Sequence, residues 1–300
     1  MIRTMFTIGI LTFASSLASA ADGFTFGTSF KDAFSTAKDE KKMVMILIVD
    51  DSKMSGRLET ELPANAKFGK VVMKNFVPVK GKFDVDTLDL VKDAKLQAPS
   101  SVYAFTADRE FIGSIAMPRT TDLVVPWAEG ILEVKAGLDA LAKVDKSKPS
   151  GTLAALKKIG KIPSRKGAVI FGEYAENKKQ SDEIRKFAVE QLVKQRDGME
   201  KVNSLFADGS AVVRNAASAA LKGQGLKAVP ALLKGLEESS PEVRAASAAL
   251  LKPLVTDAKL ARDSAFWKSG NDADRASAID ALSRWWKVNG PVAYNFDWSN

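Results

Sequence analysis

Three groups of residues in this 300-residue chain have types and spacings that could carry chemistry. Asp84, Asp86, Asp89 and Asp93 crowd four carboxylates into ten residues. They suggest a calcium loop, but the glycine and the terminal bidentate Glu of an EF-hand are missing, and an exposed strand end and helix face account for them. Seven cations, Lys146, Lys148, Lys157, Lys158, Lys161, Arg165 and Lys166, stand in a stretch with no acid. Five of them, Lys157, Lys158, Lys161, Arg165 and Lys166, form a candidate anion-binding patch, and a solvated linker with a short helix is the plainer reading. The third group is a row of arginines, Arg185, Arg214, Arg244 and Arg275, spaced by about thirty residues. Against these stand two absences: no Cys and no His anywhere. They exclude disulfides, thiolate nucleophiles, Ser-His and Cys-His catalysis, and zinc sites built on imidazole or sulfur. Carboxylate, Lys, Tyr and hydroxyl chemistry and oxygen-bound hard metals remain, and no metal or cofactor site is expected.

The elements that must hold these groups alternate in the first half. A helix from Phe30, with Ala33, Phe34 and Ala37 on one side, leads to an apolar strand at Met43–Val49, which Asp50-Asp51 ends. A helical stretch from about Ser55, with Pro63 as its break, precedes a second strand at Phe76–Lys80 and a short helix over 87–95. Strands at Ser101–Phe105 and Phe111–Ile115 flank the turn Asp108-Arg109 and predict a hairpin, followed by a helix from about Asp122 to Leu141. Parallel strands joined by helices and closed by a hairpin predict a mixed sheet in three layers.

Gly56-Arg57-Leu58-Glu59, this element order, and Ala98-Pro99-Ser100-Ser101-Val102 ahead of the third strand give residues 30–143 a resemblance to secreted thioredoxin-like proteins. The resemblance implies a thioredoxin fold. It places Ser52 and Ser55, in Ser52-Lys53-Met54-Ser55, where the family carries its Cys-x-x-Cys, and Pro99 where it carries a cis-proline. A serine hydroxyl there stays protonated and cannot form a disulfide, so redox catalysis is excluded. As a hydrolytic nucleophile Ser52 would need Lys53 or a carboxylate as base, and adjacent side chains on a turn seldom converge.

The second half repeats. Three residues after each arginine stands a small side chain, namely Ala188, Ala217, Ser247 or Ala278, and seven after it a leucine, Leu192, Leu221, Leu251 or Leu282. These spacings share one helix face. Ile184, Val213 and Val243 precede three of the arginines, with Asp182, Ser210, Ser240 and Asp272 as cap or turn residues. Second amphipathic stretches such as Ala228–Leu236 make the unit a helix pair, which buries its apolar face only by stacking. The pattern resembles bacterial HEAT repeats over residues 150–290. It implies a solenoid whose arginines are structural, each reaching an acid or a helix C-terminus in the adjacent repeat. Trp285-Trp286 end the last repeat, and the aromatic tail beyond Gly290-Pro291, with Tyr294, Phe296 and Trp298, is expected to fold back as its cap.

The first twenty residues, with Arg3, an apolar run from Met5 to Ala14 and Ala18-Ser19-Ala20, read as a secretory signal cut before Ala21. Export to a periplasmic or extracellular space is therefore expected. The reading divides the chain into the signal (1–20), a thioredoxin-like α/β domain (21–145), a basic junction (146–166) and an all-α HEAT-type solenoid with an aromatic cap (167–300). The net charge of +8 is uneven: 17 Lys+Arg face 19 Asp+Glu over 21–145, and 26 face 17 over 146–300. The expected role is a non-enzymatic scaffold with an unidentified protein partner. The second reading is anionic-polymer binding through the junction and solenoid. An envelope polymer fits that reading better than nucleic acid, because the signal leads away from nucleic acid and 146–166 holds no aromatic for base stacking.

Overall fold

The computed structural model describes residues 23–82, 100–116, 118, 120–144, 149–195, 197–257 and 259–294, the last four by backbone alone. The expected signal, Asp84, Asp86, Asp89 and Asp93 with the helix over 87–95, Pro99, Lys146, Lys148, and the tail residues Phe296 and Trp298 lie outside the described residues.

The first half is a mixed α/β unit. Helix α1 (Phe30–Asp39) precedes strand β1 (Met43–Val49), followed by helices α2 (Lys53–Ala64) and α3 (Ala66–Asn75) and strand β2 (Phe76–Lys82). Strands β3 (Ser101–Phe105) and β4 (Phe111–Ala116) form the expected hairpin, and helix α4 (Val124–Lys143) follows a 3-10 turn at Thr121–Leu123. The sheet order is β2-β1-β3-β4, with β1 parallel to β2, antiparallel to β3, and β3 antiparallel to β4. Every residue of β1 is buried. Alternation explains the unbroken apolar run, since both faces of this central strand are covered. Val44, Ile46 and Ile48 meet Ala33, Phe34 and Ala37 of α1, whereas Met45 and Leu47 join Leu58, Leu62, Phe68, Val72 and Ile131 of α2, α3 and α4.

Two helix boundaries differ from the sequence reading. Helix α2 begins at Lys53, ahead of Ser55, because the Ser52 hydroxyl accepts from the Ser55 N–H and caps the helix. Pro63 sits in the last turn of α2, and the break falls at Asn65, whose side chain accepts from the Phe68 N–H and starts α3.

The second half is helical. Helix α5 (Pro149–Ile159) fills most of the stretch read as a junction. It packs against α4 at Gly137, where a Cβ would come within 2.8 Å of the Ala155 carbonyl oxygen. Only a glycine permits this approach. Four helical hairpins follow: α6 (Arg165–Glu176) with α7 (Asp182–Leu192); a 3-10 helix (Glu200–Ala207) with α8 (Ala211–Gln224); α9 (Val229–Glu237) with α10 (Pro241–Leu251); and α11 (Ser264–Ser269) with α12 (Asp272–Tyr294). Ile184, Val213 and Val243 are buried, as are Leu192, Leu221, Leu251 and Leu282, and one apolar cluster runs without interruption from Leu156 to Leu282. Ala188, Ala217 and Ser247 are buried and Ala278 partly so, which lets neighbouring helices approach.

Three details depart from the repeat reading. The caps of α7 and α12 are Ser181 and Asn271, one residue before Asp182 and Asp272, because their side chains accept from the Ile184 and Asp274 N–H groups. The first helix of the second hairpin is 3-10. Helix α12 continues past Trp285-Trp286 and through Gly290-Pro291 to Tyr294. Gly290 makes room for this, since a Cβ there would come within 2.5 Å of the Trp286 indole. Among the described residues no helix is long and apolar enough to cross a membrane.

Leu221→Ala should lower stability by about 3 kcal/mol, because it empties a fully buried position in a core that can collapse only partly. Urea denaturation measures this, and a loss below about 1 kcal/mol would mean that the leucine row does not build the core.

Candidate functional site

The serines picked out in the sequence meet at the end of the central strand. Where β1 leaves the sheet, Asp50 turns its carboxylate back over the start of α2. Its Oδ1 accepts from the Ser52 N–H at 3.2 Å and from the Ser52 and Ser55 hydroxyls at 2.5 Å each. Ser100 Oγ lies 3.3 Å from the same oxygen and 2.7 Å from Ser55 Oγ. The Asp50 N–H in turn donates to Ser55 Oγ at 2.9 Å. Ser55 and Ser100 are buried, and Ser52 is exposed. Ser100 holds a φ of +60°, a left-handed conformation that costs energy for a serine and here carries its hydroxyl into the cluster.

Each hydroxyl has one proton to give. Ser52 and Ser55 give theirs to Asp50 Oδ1, and Ser100 donates to Ser55 Oγ, which also accepts the Asp50 N–H. This assignment leaves no short contact between two lone pairs. The hydrogen bond from Ser52, then that from Ser55, hold the Asp50 carboxyl at about pKa 2 against the opposing effect of burial. A carboxylate so stabilised is too weak a base to take a serine proton near neutral pH. Lys53, the other base within reach in sequence, is exposed, and among the described residues its ammonium makes no bond to Ser52. The cluster therefore acts as a polar lock between strand and helix, with no activated nucleophile. Sequence reasoning passed over Asp50 and Ser100, although an Asp two residues before a Ser is the mark of an Asx turn. Among the described residues no group of three acids could hold a metal ion.

The basic candidates separate. Arg165 Nε donates to Asp197 Oδ2 at 2.7 Å, and Lys166 Nζ to Glu110 Oε2 at 3.0 Å, the latter tying α6 to the β3–β4 turn. Lys157 and Lys158, in the last turn of α5, and Lys161 just beyond it remain exposed.

The arginine row is structural in its contacts, but only in part as expected. Arg185, 4% exposed, donates to the Ala175 carbonyl at 2.9 Å and reaches Asp208 of the next hairpin. Arg244 holds the Glu238 and Ser239 carbonyls of its own turn and the Trp267 carbonyl, 2.9 Å away, at the end of the next hairpin's first helix. Arg214 and Arg275 reach no neighbouring repeat through the contacts described; they hold carbonyls of their own turns, Asp208 and Gly209 for one and Gly270 for the other. Burial pushes the Asp208 carboxyl up, but its bonds from Arg185 and the Ser210 N–H outweigh this and leave it lowered.

No protein-family model matches the chain, and no curated protein is similar to it.

Two variants test the bonding. Because Asp50 titrates at about 2 when folded and near 3.8 when unfolded, its stabilisation is complete above about pH 4 and is lost as the pH falls toward 2. Acid unfolding of Asp50→Asn should therefore differ most from the parent above that window and converge with it below. An equal difference at every pH would count against an ionised Asp50. Arg185→Ala should cost about 3 to 5 kcal/mol by chemical denaturation, since it strands the nearly buried Asp208 carboxylate. A cost of the order of an exposed ion pair would overturn that assignment.

Proposed function

We propose that this chain is an exported, non-enzymatic interaction protein, in which a thioredoxin-like module without its redox centre is joined to a HEAT-type helical solenoid. The observation that carries the reading is the serine pair. Ser52 caps the helix that follows the central strand, Ser55 lies one turn in, and both hydroxyls are spent on Asp50. In the thioredoxin-like family these positions hold the reactive thiols; here they hold a lock. The parallel pair β1–β2 and the antiparallel β3–β4 hairpin support the same resemblance, and the four stacked hairpins with their arginine, small-residue and leucine rows support the second one.

A fold of this kind can interact without sulfur or catalysis. The loop that carries Ser100 faces the start of α2, and an extended peptide can be held there by backbone hydrogen bonds. The helical half offers a long surface whose shape is set by stacking. An unidentified protein is the expected partner, and export rests on the N-terminal segment as read from sequence.

The test is capture from the extracytoplasmic fraction of the source cells by the purified mature chain. A defined polypeptide retained at physiological salt is the expected outcome, with no disulfide reductase activity. Retention of nothing, or a hydrolase activity abolished by Ser52→Ala, would overturn the reading.

A further inference from the structure

The second helices of the hairpins all run the same way, so the charges at their ends are sorted to two edges of the helical half. Contacts at both ends support this arrangement, and α8 and α10 are themselves neighbours. Ser210 at the start of α8 donates to Asp182 at the start of α7, at 2.9 Å. Arg244 at the start of α10 reaches Trp267 and Lys268, beside the start of α12. At the other end, Gly160 after α5 lies against the Gln191 carboxamide near the end of α7, and the Gln195 carboxamide accepts from the Ser164 N–H. The N-terminal ends carry acids, Asp182, Glu183, Glu242, Asp272 and Asp274. The C-terminal ends carry lysines: Lys157, Lys158 and Lys161 at α5, Lys194 at α7, Lys222 at α8 and Lys252 at α10.

All six lysines are exposed, and none has an acidic partner among the described residues. A lysine at a helix C-terminus complements the dipole, which is reason enough for each one singly. Stacking adds a second consequence. A full positive charge exceeds the half-charge of the helix end, so parallel helices that are each compensated in this way build a continuous cationic edge. The acids that share it are engaged elsewhere: Asp197 is paired with Arg165, Glu200 with Lys234 and Glu190 with Lys186, while Asp257 and Asp263 accept from the Lys259 and Phe266 N–H groups.

We propose that this edge binds a linear acidic polysaccharide, laid across the ends of α5, α7, α8 and α10. Two observations select the ligand. The cations recur at the spacing of packed helices, about 8 to 10 Å. That is wide against a nucleic-acid strand, with one phosphate per about 3.4 Å, and suits a polymer with one acid on every second sugar. The six cations are all lysines, point charges without the bidentate fork that favours phosphate, and the one arginine beside Asp263, Arg262, is laid over the Phe266 ring. The site is separate from the serine cluster, and it draws on the proposed function only in taking the polymer to be extracytoplasmic.

The test uses the full mature chain and hyaluronate, which carries one carboxylate on every second sugar, as probe. Affinity should fall steeply with added salt, and Lys194→Gln/Lys222→Gln/Lys252→Gln should weaken binding about tenfold. Lys178→Gln/Lys179→Gln, at the opposite edge, should bind as the parent does. Thermal unfolding checks that each variant is folded. If the triple variant is not, Lys194→Gln alone should still weaken binding about twofold. Absence of binding, insensitivity to salt, equal loss in the triple and control variants, or tighter binding to poly(dT) would each overturn the proposal. A lysine row serving only the helix dipoles would lower the melting temperature and leave polymer affinity unchanged. Failure here leaves the capture of a protein partner untouched.

Discussion

A helix that ends inside a protein leaves carbonyls that no helical N–H can pair, and in a stack of short hairpins such ends recur every thirty residues. In this protein the answer is a guanidinium placed one turn into the second helix. Arg214, Arg244 and Arg275 each take carbonyls of the turn behind them, and Arg244 also reaches forward to the end of a helix in the next hairpin. Arg185 takes the Ala175 carbonyl and, in addition, the Asp208 carboxylate of its neighbour. The turns themselves stay near the surface, Gly209, Glu238 and Ser239 being exposed and Asp208 and Gly270 half-buried. The arginines tie them to the helices whose leucines close into one core.

The α/β half solves a related problem at a single point. Its central strand is covered on both faces, so the chain leaves the sheet surrounded by other elements and must turn with its polar groups satisfied. Asp50 and three serines do this together, and the strained Ser100 backbone shows that the arrangement is held from outside as well as by local sequence. The consequence is local and specific: four oxygen atoms are hydrogen-bonded to one another, and the Asp50 carboxylate is held ionised by hydroxyls.

Helix α4 joins the two solutions. One side of it, with Trp127, Ile131 and Val134, closes the sheet core, and Gly137 on another side admits α5. The stretch whose Pro149, Ser150, Gly151 and Pro163 suggest a loose junction thus contains a packed helix, and Lys166 adds a polar tie back to Glu110. Composition misleads here because the apolar side of α5, with Ala155, Leu156 and Ile159, is short, and the prolines, glycine and cations around it dominate the stretch.

The order of strands and helices in the first half was legible because apolar periodicity is a local property, set by which faces of a strand or helix are covered. The repeat was legible for the same reason, since each hairpin restates one burial pattern. The missing thiols were evident from composition alone. Three things were decided only by tertiary structure. Asp50 and Ser100 lie fifty residues apart, and their meeting with Ser52 and Ser55 depends on β3 lying beside β1. Whether a cation is paired or exposed depends on which acids folding brings near: Arg165 and Lys166 are matched by Asp197 and Glu110, while Lys157, Lys158 and Lys161 face solvent. The alignment of the lysines into one edge arises because the second helices stack in parallel. A sequence specifies the charge at each helix end, but the field along an edge is a sum over neighbours, and only packing says which helices are neighbours.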